Sequence, residues 1–110
     1  MRKAAIAAGW AWAAAIVWLS LTPSPPQVDV EHGDKMGHFA AYAFLMFWFA
    51  QLYRRRAAYA AAFIAMGVGL EIAQGALGFR LYDLADMVAN ALGVLAGWGG
   101  ARLLPRIRFS

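Results

Sequence analysis

A chain of 110 residues has room for one domain, and with 63% hydrophobic and 15% charged residues, where soluble domains carry about 25% charged, it reads as a membrane protein. The absence of cysteine excludes disulfides, thiolate nucleophiles and cysteine-ligated zinc. The net charge of +4 does not mark a nucleic-acid surface: the basic residues stand beside apolar segments instead of forming one patch, so they read as topology signals and no nucleic-acid partner is expected.

The first element is the uncharged run Ala4 to Leu21, preceded by Arg2 and Lys3 and carrying Trp10, Trp12 and Trp18. Its length corresponds to roughly 27 Å of helix, close to the thickness of bilayer hydrocarbon. It exceeds the h-region of a signal peptide and no small-x-small cleavage site follows, so a retained helix is expected. Thr22 to Lys35 is a connector with Pro23, Pro25, Pro26, Asp29, Glu31 and His32, which stops the helix. Met36 to Tyr53 is a second apolar segment, rich in Phe and closed by Arg54, Arg55 and Arg56. Ala57 to Leu77 is a third, uncharged up to Glu71. After a turn at Gly78 to Asp83, Leu84 to Leu104 is a fourth, carrying Asp86 and Asn90, with the tail Pro105 to Ser110 behind it.

The basic residues set an orientation for these four helices. With both termini cytoplasmic, the inner side holds Arg2, Lys3, Arg54, Arg55, Arg56, Arg102, Arg106 and Arg108, eight of the ten basic residues, leaving only Lys35 and Arg80 outside. The six acids, Asp29, Glu31, Asp34, Glu71, Asp83 and Asp86, then fall toward the outer half.

Polar side chains are expensive in hydrocarbon, about 2.5 to 3.5 kcal/mol for a charge at the helix centre and less near the interface, so those inside the apolar segments should turn inward and pair. Glu71 and Gln74 share a helix face, which Gly67 and Gly78 extend. Asp83, Asp86, Asn90, Gly93 and Gly97, at offsets of three, seven, ten and fourteen, form one stripe of the next helix. Asp34 and His38 are one turn apart, so the carboxylate can orient the imidazole or cap the helix. The topology brings Asp34, Lys35, His38, Glu71, Gln74, Arg80, Asp83, Asp86 and Asn90 to one level near the outer face. The small residues Gly93 and Gly97 read as a packing contact within the bundle rather than between copies.

Four roles fit this cluster. It can be structural, with Lys35 and Arg80 neutralising acids while Gln74 and Asn90 link helices. It can hold a divalent metal on His38, Glu71, Asp83 and Asp86, although no high-specificity zinc motif occurs and no cofactor is expected. It can do acid–base chemistry through His38 or Glu71. Ser20, Ser24 and Ser110 lie in no nucleophile motif, which argues against a serine hydrolase. Finally, it can recognise the polar part of a lipid-linked molecule, with Lys35 and Arg80 on an anionic group, carboxylates and amides on hydroxyl or ammonium groups, and Phe39, Tyr42 and Phe79 along an acyl chain or ring.

The pattern Asp34-Lys35-x-x-His38-Phe39, then Glu71-x-x-Gln74, then Arg80 and Asp83-x-x-Asp86-x-x-x-Asn90-x-x-Gly93-x-x-x-Gly97, resembles the VanZ-like family of small bacterial membrane proteins over residues 30 to 104. The resemblance implies a multi-pass protein of the bacterial cytoplasmic (inner) membrane, related to a prototype linked to low-level resistance to the acylated glycopeptide teicoplanin. It supplies no settled reaction, so no catalytic residue follows from it.

The resulting expectation is a single all-α domain over residues 1–110: an integral membrane bundle of four transmembrane helices with cytoplasmic termini. Its outward polar cluster would bind an amphiphile or lipid-linked envelope molecule, with an effect on glycopeptide sensitivity. The alternatives are a small membrane enzyme acting on a lipid-linked envelope substrate through His38 and the carboxylates, or a structural subunit of a membrane complex. Oligomeric state is left open.

Overall fold

The computed structural model describes residues 2–21, 33–76 and 84–104, by backbone alone at 33–35, 74 and 84–86. These residues form four helices and no strand: α1 (Arg2–Leu21), α2 (Gly33–Leu52), α3 (Arg56–Ala76) and α4 (Leu84–Leu103). The helices match the apolar runs, except that α1 and α2 begin two and three residues earlier. A helix needs no apolar side chain in its first turn, so Arg2, Lys3 and Gly33 to Lys35 are helical as well. By length and composition, Arg2–Leu21 and the Arg56–Ala73 part of α3 can cross a membrane, whereas the apolar stretch of α2, Met36–Leu52, is shorter. These criteria account for two of the four expected spans.

Neighbouring helices run up and down. Trp48 Nε1 donates to the Ala5 carbonyl at 2.8 Å and Trp12 Nε1 to the Ala41 carbonyl at 3.1 Å, so α1 and α2 are antiparallel. Gly93 lies on the Phe39 carbonyl and Gly97 on the Ala43 carbonyl, so α4 runs parallel to α2. The start of α1, the end of α2, the start of α3 and the end of α4 therefore share one end of the bundle. α2 is the central element, touching the other three helices and packing most extensively on α4.

The turn between α2 and α3 is only three residues long, and its closure follows from unsatisfied carbonyls at the end of α2. Tyr53 N donates to the Phe49 carbonyl at 2.9 Å. Arg56 Nε donates to the Ala50 carbonyl at 3.0 Å, and Arg2, reaching across from α1, places Nη2 2.7 Å from the Leu52 carbonyl. Both cations sit at the negative end of the α2 dipole.

The interior is apolar where the helices meet and polar at three points. Tyr42, Leu45, Met46, Phe49 and Ala50 of α2 are buried together with Ala60 and Phe63 of α3, Val94 and Ala101 of α4, and Ala13 and Ile16 of α1. Phe49 is the hub of the ring contacts: its centroid lies 5.0 Å from Phe63 and 5.1 Å from Trp10, both edge to face. Gln51, Glu71 and Asn90 are also buried, while Trp10, Trp18, Phe44, Ile72, Val88, Leu92 and Leu95 face outward. Large apolar side chains are thus exposed on every helix, and a buried carboxylate lies inside.

Candidate functional site

The polar core forms where α2, α3 and α4 approach most closely at the end opposite the α2–α3 turn. Gly67 makes the approach possible. A Cβ on Gly67 would stand 3.1 Å from Asn90 Cβ, 3.2 Å from Asn90 Nδ2 and 3.5 Å from Tyr42 Cε1, so one small residue of α3 faces both neighbouring helices. Glu71 follows one turn later on that face and is 2% exposed. The Tyr42 ring, buried in α2, borders the same face at Gly67. Asn90, from α4, is 5% exposed. Its Oδ1 is buried without a hydrogen-bond partner among the described residues. A lone buried carbonyl oxygen of this kind costs about 1 to 3 kcal/mol if nothing binds it.

Of the residues singled out in the sequence, Glu71, Asn90 and Gly67 thus come together. His38, half-buried, lies on α2 one turn before Tyr42 and extends the cluster toward the helix start. Asp34 and Lys35 fall in the first turns of α2, Asp86 in the first turn of α4 and Gln74 in the last turns of α3, with only their backbones described. Arg80, Asp83 and Phe79 lie outside the described residues. No group of three or more His, Asp or Glu able to hold a metal occurs among the described residues, where His38 and Glu71 are the members of the candidate metal set with placed side chains.

Of the aromatics read as lining for an apolar ligand portion, Tyr42 is buried beside Gly67. Phe39 is 40% exposed and contributes its backbone carbonyl to the α2–α4 contact. Gln51, 1% exposed near the other end of α2, was not singled out. The rule that flags Glu71 and Asn90, a polar group inside an apolar run, applies to it equally.

The Gly93 and Gly97 stripe faces a neighbouring helix of the same chain. Its partner is α2, and a Cβ at either glycine would overlap a backbone carbonyl. This seam sets the register of α4 on α2, in which Asn90, one turn earlier, and the Tyr42 ring both reach Gly67.

The family model described as VanZ/LLP1 matches residues 5–105, which takes in the four helices almost from end to end. The chain belongs to the VanZ/LLP1 family. Membership extends the resemblance, carried by residues 30 to 104, to α1. Among curated proteins the chain is similar to uncharacterized protein C11E3.10 of the yeast Schizosaccharomyces pombe, 36% identical over 74 residues, which are 62% of this chain and 46% of that protein. The chain therefore spans about half the length of that relative. No solved structure matches.

Proposed function

We propose that this VanZ/LLP1 protein is a four-span protein of the cytoplasmic membrane, both chain ends facing the cytoplasm, whose polar core receives the headgroup of an amphiphile from the outer leaflet. The membrane reading is supported by the inverted distribution of side chains: apolar groups outward on all four helices, Glu71, Gln51 and Asn90 inward. The orientation is supported by the basic residues, with Arg2, Lys3, Arg54, Arg55, Arg56 and Arg102 at one end of the bundle and Glu71 toward the other.

The observation that carries the binding reading is Asn90 Oδ1, buried without a described partner beside a buried Glu71. Together they offer two acceptors within about two helical turns of the acidic end, suited to hydroxyl or ammonium donors of a headgroup. A relative in a yeast makes a lipid headgroup, common to all membranes, a better candidate than a component confined to bacterial walls. An effect on sensitivity to acylated glycopeptides would then be secondary to lipid binding.

The test is native mass spectrometry of the full chain in detergent, incubated with bacterial polar lipid extract and, separately, with teicoplanin. A lipid adduct that disappears in Asn90→Leu and Glu71→Gln variants of unchanged helicity supports the reading. Adducts unchanged in both variants would reduce the core to a structural network.

A further inference from the structure

The opposite end of the bundle carries charges that the polar core does not use, and its six placed cations divide into two groups. Arg2 and Arg56 donate to the Leu52 and Ala50 carbonyls and so secure the end of α2. Lys3, Arg54, Arg55 and Arg102 are exposed, and their side chains make no hydrogen bond or ion pair among the described residues. No described carboxylate lies near them: Glu71 is fifteen residues along α3 from Arg56, about 22 Å of helix, and Asp34 and Asp86 fall in the first turns of α2 and α4, at the other end.

A layer of amphipathic aromatics lies just inside these cations. Trp10 Nε1 is 3.4 Å from Tyr53 OH, the Tyr53 and Tyr59 rings stack at 4.9 Å, and Trp98 lies one turn before Arg102. Aromatic rings at this level and cations above them match the order of glycerol region and phosphates in a leaflet. Exposed apolar side chains continue from there along the helices. A soluble acidic protein would meet the charges but leave that apolar surface uncovered, so charge complementarity and continuity favour a lipid.

We propose that Arg54 and Arg55 bind the phosphate headgroup of an anionic glycerophospholipid in the leaflet at this end, with Lys3 and Arg102 adding to the positive charge of the same end of the bundle. The site rests on the membrane reading but is separate from the polar core. Arginine suits it because its planar fork binds phosphate oxygens in pairs, and the short α2–α3 turn fixes Arg54 and Arg55 side by side. Binding orders the annular lipid around the turn that joins the central helix to α3.

The test uses the full chain in phosphatidylcholine vesicles containing a minor fraction of brominated phosphatidylglycerol or brominated phosphatidylcholine, with tryptophan quenching as readout. At low salt the wild type is expected to prefer the anionic lipid. The preference should fall about fivefold per cation removed in Arg54→Gln/Arg55→Gln, persist in Arg54→Lys/Arg55→Lys, and vanish at about 1 M salt, where the screening length is roughly 3 Å. Quenching by brominated phosphatidylcholine and unchanged circular dichroism confirm that each variant is inserted and folded. Equal quenching by the two lipids in the wild type, or a preference that survives the glutamine variant, would overturn the site. No quenching by either lipid would overturn the membrane reading itself.

Discussion

Gly97 lies so close to Ala43 that a Cβ on the glycine would overlap the alanine's backbone carbonyl, and Gly93 bears the same relation to Phe39 one turn away. In both pairs a glycine Cα hydrogen takes the place of a side chain and points at a carbonyl oxygen. Such Cα–H···O contacts recur where helices meet backbone to backbone and contribute about 0.5 to 1 kcal/mol each. On the membrane reading proposed above, burial of apolar surface gives helices little reason to associate, and close approach of this kind draws α2 and α4 together.

Gly97→Ala should therefore separate the two helices. Backbone cannot yield as a flexible side chain can, and overpacking in a tight interior typically costs about 1 to 3 kcal/mol. We expect at least about 2 kcal/mol, read as a drop in the thermal midpoint in detergent. Gly99→Ala is the control. That position is exposed with nothing within 4 Å of a new Cβ, so stability should hold or rise. Equal losses at the two positions would mean that the seam is not what holds α4.

Asn90 separates stability from function. Replacing it with leucine keeps the branched four-atom shape of the side chain and removes a buried carbonyl oxygen that has no described partner, so the folded state should lose less than about 1 kcal/mol and can gain. Lipid retention should nevertheless fall. Asn90→Asp, which adds a second carboxylate to a core already holding Glu71, should lower the thermal midpoint sharply. A leucine variant as unstable as the aspartate variant would show that the amide is a structural link between α3 and α4.

How far the sequence discloses this arrangement depends on the kind of information each feature carries. Helix positions are legible because uncharged apolar runs of membrane-spanning length have few other interpretations, and the small errors fall at polar ends such as Gly33 to Lys35. Glu71 and Asn90 are legible as inward-facing because their polarity conflicts with their surroundings. The partner of the Gly93 and Gly97 stripe is less so: small residues at that spacing serve contacts within or between chains, and only the parallel register of α2 puts Phe39 and Ala43 against them. Tyr42 is ambiguous for a related reason, since a tyrosine suits both a lipid-facing and a buried polar position. Gln51 is obscured by its nearness to Arg54, Arg55 and Arg56, which makes it read as the edge of a segment.

Arg2 fastens α1 to the far end of α2. Its Nη2 lies 2.7 Å from the Leu52 carbonyl, which has no later amide of its own helix to accept from. Arg2→Gln should cost about 1 kcal/mol, less than the roughly 1.5 to 3 kcal/mol of a charge-assisted bond because the residue is largely solvated. Arg54→Gln, which removes a charge that bonds nothing described, should leave the thermal midpoint unchanged. Measured together, the two variants distinguish arginines that hold the fold from those that face the leaflet, and the reverse order would show that position at this end does not determine role.

Trp48 completes the attachment of α1. Its indole N–H donates to the Ala5 carbonyl at 2.8 Å, and its ring fills the space that Gly9 leaves open, where a Cβ would meet Cδ1 at 2.8 Å. Phe44 lies 5.7 Å away in a stack and links it to Trp12, 5.3 Å beyond. α1 touches α2 and α3 but not α4 among the described residues, so its attachment depends on few such contacts. Trp48→Phe removes the hydrogen bond and part of the ring and should cost about 1 to 2 kcal/mol. The loss should be local: limited proteolysis in the 22–32 connector should accelerate while the α2–α4 seam, probed by hydrogen-exchange protection of the Gly93 to Gly97 amides, stays intact. Unchanged cleavage would mean that the Arg2 bond and the Trp12 bond to Ala41 suffice to keep α1 in place.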